Sequence, residues 1–401
     1  VSFSGHLPGS REYRRLLVGL FFGGVATFAQ LYATQALLPQ IAVDLAILPA
    51  TAALSVSAST LGLAAAVIPW SLVADRIGRV PAMAIGILGA TVLGATAPFA
   101  HDVSSLLVLR LLEGVALGAV PAVALAYLSE EVDVRHVAAA AGSYIAGTTV
   151  GGLSGRLVSG PLGELAGWRW GVASVIVLCV VASAIFLSLV PRARGFVPRR
   201  GRAISGPSVL ERLAVNLRSR TQLALYAQGF LLMGAFVAVY NYLGFHLTGT
   251  PFALAPGVVT LLFLAYLAGT ISSPRAGALA VRRGRFPVLL ASIGVTAAGA
   301  ALMTVPLVGV VMVGLVIFTA GFFAAHAVAS GWTPVAAEPH ARAQASSLYY
   351  LGYYGGSSLF GWLLGVVFAS GGWEWFLIVV IAMCALSAGF AYGALRPRRS
   401  A

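Results

Sequence analysis

The sequence predicts an all-α protein that crosses a membrane many times and is built as two similar six-span halves. Composition, a motif that occurs twice and the placement of the arginines carry that prediction. Of 401 residues 59% are hydrophobic and 9% charged, with a mean hydropathy of +0.93, a surface that water would not solvate. A net charge of +13 would suggest nucleic acid in a soluble chain. Here all 25 basic residues are Arg and fall almost wholly in alternate loops, so no nucleic-acid partner is expected. Without Lys there is no Lys nucleophile or Schiff base. Cys179 and Cys384 lie inside apolar runs and give neither a disulfide framework nor metal-ligand spacing.

A span needs about 20 mostly apolar residues. The chain offers twelve, centred near residues 26, 63, 90, 117, 148, 180, 234, 266, 295, 322, 355 and 384. The first, residues 16–38, is too long for a signal-peptide core. Residues 1–191 form an N-terminal six-helix half, 192–220 a basic cytoplasmic linker and 221–401 a C-terminal six-helix half. With the N-terminus cytoplasmic, 22 of the 25 Arg share that side, only Arg169 lies outside, and Arg110 and Arg156 fall within spans. Both termini are therefore expected in the cytoplasm. Residues 209–215 of the linker read either as an interfacial helix on anionic lipid or as solvated loop, the second being the usual state of a charge run.

Between spans two and three, residues 71–81 carry Asp75, Arg76, Gly78 and Arg79 between apolar runs. Charge is costly in lipid, so this turn belongs at the membrane surface, and its tightness calls for Gly78. The pattern returns 206 residues on, pairing Ala74 with Ala280, Gly78 with Gly284, Arg79 with Arg285 and Pro81 with Pro287, while Val281 replaces Asp75. Later, Gly167-Trp168 is echoed by Gly372-Trp373, and Tyr144, Gly147 and Gly151 by Tyr349, Gly352 and Gly356. Two halves in the same order indicate parallel repeats about an axis along the membrane normal.

Twelve spans with this charged turn after the second resemble the major facilitator superfamily, whose motif there is matched by Asp75, Arg76, Gly78 and Arg79. Arg110-Leu-Leu-Glu113-Gly114 is similar to the Arg-x-x-Gln-Gly motif of proton-coupled members, with Glu113 in place of Gln. Residues 120–131, 321–332 and 345–354 further resemble the YnfM-type branch, grouped with drug/proton antiporters. The resemblance implies the major facilitator fold and a secondary transporter of the bacterial cytoplasmic (inner) membrane, not an enzyme. Its expected activity is proton-coupled efflux of small amphipathic organic compounds by rocker-switch alternating access. Its partners would be substrate, protons and lipid, its state a monomer, its energy source the proton gradient, with no bound cofactor. Two other readings stand beside it: proton-coupled import of an organic acid held by Arg110 and Arg156, and a non-transporting membrane receptor.

Asp75, Arg76, Gly78 and Arg79, with Glu130 or Glu131 in reach of Arg79, form a gate that breaks when the halves rock, or merely stop helices at the surface. Arg110 and Glu113 are three apart and share one face of span four. Glu113 is then either a proton carrier freed at times from Arg110, or half of a fixed bridge holding spans four, five and one. His326, alone in an apolar stretch of span ten, is a second proton candidate or a packing residue. For the substrate, the first and seventh spans offer Gln30, Tyr32, Gln35, Tyr240 and Asn241, joined by Arg156 and by Tyr349, Tyr353 and Tyr354. Aromatic walls with a few amide handles suit a moderately apolar molecule better than a sugar. No Walker motif, metal-ligand cluster or catalytic triad is legible, which disfavours ATP-driven transport and hydrolysis.

Overall fold

In lipid each backbone N–H and C=O must be satisfied within its own segment, so long apolar runs become helices. The computed structural model describes residues 5–133, 135–195 and 208–396, and these are helical, with no strand beyond one isolated bridge between His6 and Val132. Linker residues 196–207, together with Arg398 and Arg399, lie outside the described residues. Among the described residues ten helical stretches are long and apolar enough to cross a membrane. The chain divides into two compact units, residues 1–47 with 54–202 and residues 48–53 with 203–401.

In the first unit, Ser10 caps the helix Arg11–Leu31 by accepting the Tyr13 N–H at 3.1 Å. The sequence suggests one continuous first span to residue 38. Instead the helix stops at Leu31, turns through residues 32–34, and resumes as Gln35–Leu37 and Leu38–Asp44. The helices Pro49–Ile77, Arg79–Thr96, Val103–Leu117 with Ala119–Glu131, Val137–Ala166 and Trp168–Leu189 stand where spans two to six are expected. Spans one and five pack backbone to backbone. A Cβ on Gly147, Gly151 or Gly155 would come within 2.1, 2.6 and 2.7 Å of the carbonyls of Phe21, Val25 and Ala29, the close approach that small residues permit in a bilayer. The core is completed by Leu16, Leu20, Met83, Ile87, Tyr127 and Phe186. At the other end of the unit Asp44 accepts from Trp168 Nε1 at 2.8 Å and Arg169 Nη1 at 2.5 Å.

The second unit opens with a helix, Val209–Arg218, so the solvated-loop reading does not extend to this part of the linker. Ser208 and Glu211 close a capping box on it, and Asn216 Nδ2 donates to the Ala341 carbonyl at 3.0 Å. Helices Arg220–Thr248, Pro256–Thr260 with Tyr266–Arg283, Arg285–Leu302 and Val308–Ala336 follow. The stretch Arg342–Leu395 covers the expected spans eleven and twelve, which meet at Gly372 with φ +69°. The repeated charged turn has one backbone shape in both units, since Gly78 and Gly284 take φ of +102° and +91°, where a side chain would be strained.

Candidate functional site

One group of buried charge in the N-terminal unit lies around the end of the first helix. A helix terminus leaves carbonyls without intrahelical donors and carries partial negative charge. Arg110, fully buried, meets that need: Nη1 donates to Gln30 O at 3.1 Å and Nη2 to Leu31 O at 2.7 Å. Its Nε reaches Ser55 O in span two at 3.1 Å, and Nη1 also pairs with Glu113 Oε2 at 2.6 Å. The pair therefore ties span four to spans one and two, whereas the sequence reading put span five in that bridge. Glu113 is likewise fully buried, and its Oε1 has no hydrogen-bond partner.

Arg156 of span five goes elsewhere. Its Nε donates to Gln35 Oε1 at 2.7 Å, its guanidinium lies 4.2 Å from the centre of the Tyr32 ring, and Nη1 reaches Gly152 O. Three substrate candidates, Tyr32, Gln35 and Arg156, are thus brought together on the break of span one, where a cation faces a ring and an amide. Gln30 is separated from them: its buried side chain turns to Ala26 O at 3.1 Å and to the neighbourhood of Glu113.

In the C-terminal unit the candidates join a run of rings. His326 Nδ1 lies 3.0 Å from Tyr349 Oη, and its ring is 4.7 Å from Tyr353 and 6.0 Å from Phe322. Phe322 stacks on Phe236 at 4.0 Å, which meets Tyr240 at 4.9 Å. Tyr240 Oη is 2.7 Å from Thr319 Oγ1, Tyr354 packs edge-on to Tyr353 at 5.1 Å, and Asn241 Nδ2 donates to Gly361 O at 3.4 Å.

At the charged turn Arg79 is shared between Asp75 at 2.7 Å and Glu130, which it grips through Nη2 at 2.7 Å and Nε at 3.0 Å. Arg76 is exposed. Glu131, fully buried, accepts the backbone N–H groups of Arg194 and Gly195 at 2.7 and 2.6 Å. Its own carbonyl takes the His6 N–H at 2.7 Å. Sequence reading missed this clip, and also Ser55, Thr91, Gly94 and Asp44. Only Asp44, an acid just past an apolar run, gave any signal.

Long apolar helices in two repeats, with buried charge at a broken helix, define a polytopic membrane protein. The Major Facilitator Superfamily model matches residues 20–361, and the chain belongs to that superfamily. It is 38% identical to the inner membrane transport protein YnfM of Escherichia coli over 91% of this chain and 87% of that one. The MFS-type transporter YybF of Bacillus subtilis is 35% identical over 92% and 90%. The multidrug resistance protein MdtG of Proteus mirabilis is 28% identical over 57% and 56%. Among solved structures, the nucleoside transporter NupG superposes with a TM-score of 0.77 at 15% identity, covering 95% of this chain and all of that one. The xylose transporter XylE of E. coli gives 0.75 at 14%, over 98% and 100%. Family and structural neighbours are transporters, not enzymes.

Proposed function

We propose that this protein exports small amphipathic organic compounds across the bacterial inner membrane in exchange for protons, by rocking of its two halves and with no bound cofactor. The observation that carries the reading is Glu113, a fully buried carboxyl with one oxygen on Arg110 and the other without a partner. An ionisable group inside a membrane helix is expensive and marks a pathway or a relay. The name of the partial relative MdtG, a multidrug resistance protein, supports drug-like substrates, and the Tyr32, Gln35 and Arg156 group would supply an aromatic and polar contact for them in the N-terminal unit. Asp75, Arg79 and Glu130 would serve as the gate. In the import reading an organic acid would meet Arg156, because Arg110 is committed to helix-end carbonyls.

Flux in proteoliposomes under an imposed pH gradient tests this, with lipophilic cations, neutral antibiotics and organic acids offered and internal pH read alongside. Substrate moving against protons is the expected result, and Glu113→Gln is expected to uncouple it while His326→Gln leaves it intact. An acid moving with protons would replace export by import.

A further inference from the structure

Around Glu113 the hydrogen bonds are short of one donor. Arg110 occupies Oε2 at 2.6 Å. Glu113 Oε1 is buried without a partner, and so is Oε1 of Gln30. Both border the same place, since a Cβ built on Gly94 would lie 2.9 Å from the first oxygen and 3.1 Å from the second, with Ile176 Cδ1 of span six nearer still at 2.6 Å. Two acceptors that border one small space in a dry interior are stabilised by a hydrogen placed between them. Turning the Gln30 amide over offers no relief: Nε2 donates to Ala26 O at 3.1 Å and lies 3.5 Å from Thr91 Oγ1, so reversal would aim oxygen at the Ala26 carbonyl. The other groups facing Glu113 are Arg110 on its own helix and, from span six, the Cys179 thiol, which points to Ala26 O at 3.4 Å.

We propose that Gln30 is a positioning residue for the transported proton: its Oε1 accepts a hydrogen bond from the protonated Oε1 of Glu113, Arg110 holds Oε2, and Gly94 leaves the room in which the two oxygens meet. The proposal rests on the proton-coupled reading of Glu113. When the proton leaves, Arg110 alone holds the anion, and the amide oxygen of Gln30 loses its donor. The same amide therefore favours the protonated state over the ionised one. Gln30 also delivers its backbone carbonyl to Arg110, one residue before the end of the helix and two before Tyr32. Proton exchange is thus felt at the start of the break that carries Tyr32 and Gln35.

A pH titration followed by difference infrared spectroscopy, on the whole chain in proteoliposomes and without substrate, reads the Glu113 carboxyl band, assigned by its loss in Glu113→Gln. In Gln30→Met the midpoint is expected about one pH unit lower, the roughly tenfold loss of proton affinity that one hydrogen bond supplies, with a change in band frequency. Gly94→Ala keeps both groups and wedges them apart, so it should move the midpoint the same way by a smaller amount. It decides the matter if the Gln30 variant does not fold. A midpoint unchanged or raised in the folded variants overturns the proposal. Flux in the same vesicles separates the two claims: a Glu113→Gln protein that still moves substrate on a proton gradient removes the coupling reading, whatever Gln30 does to the midpoint.

Discussion

The two units answer one packing problem in opposite ways. Through span three the repeat runs at 206 residues and from span four at 205, a register in which most buried positions of the spans in one half fall on buried positions of the other. On that register Arg110 corresponds to Leu315, Glu113 to Phe318, Gln30 to Phe236 and Gly94 to Ala300. Where the first half sets a carboxyl beside an amide under a glycine, the second stacks Phe236 and Phe318 at 6.0 Å with 7° between the rings. The backbone differs in step. The first span breaks after Leu31 and needs Arg110 for its carbonyls, whereas its counterpart Arg220–Thr248 runs unbroken through the matching residues. Charge is retained where the helix is interrupted and replaced by hydrocarbon where it is not, so buried polarity here follows the broken helix.

Exchanging the arginine is expected to have the largest effect. Arg110→Leu, the residue of the other half, strands a carboxyl and two helix-end carbonyls and should cost about 3–5 kcal/mol, seen as loss of monodisperse protein in detergent and a lower Tm. Adding Glu113→Met to it should recover only the part due to the stranded acid. Full recovery would show that capping the break contributes little. Next, Tyr240→Phe removes the bond to Thr319 and should cost about 1 kcal/mol, read as a Tm shift with ring packing unchanged. The smallest effect lies at the start of span four, where Asp102 forms a capping box with Ser105 that the matching Leu307 does not provide. The Ser105 backbone N–H holds the Asp102 carboxyl below the ordinary carboxylate range. Its contribution is thus complete above the unfolded value and is lost as pH falls through the lower folded one. Asp102→Ala should lower Tm slightly at neutral pH and not at all in strong acid, while Leu307→Ala shows no such pH dependence.

Much of the fold was legible because a bilayer enforces it: apolar length gives spans and the doubled turn gives the repeat. The pairing of Arg110 with Glu113 was legible for the same reason, since three residues on a helix is a fixed geometry. The partners that give the pair its meaning were not. Two are backbone carbonyls of a helix that ends at Tyr32-Ala33-Thr34, a stretch with no Gly or Pro to announce a break. Gly94 contributes space alone, and nothing in a run of small apolar residues announces that its missing Cβ leaves room for two oxygens as well as for Ile176 of the neighbouring span. Assigning Gln30 to the substrate group with Tyr32 followed from chain proximity, and the end of the helix between them is what sends the side chains apart.

The Glu131 clip also makes the molecule its own reporter. One carboxylate and the carbonyl of the same residue hold three backbone amides, those of His6, Arg194 and Gly195, from segments almost 190 positions apart in the chain. Amide hydrogens so held exchange with deuterated water only when the end of span four lets go. Their exchange times therefore register, in a protein with no substrate added and no label attached, how often that end of the helix opens.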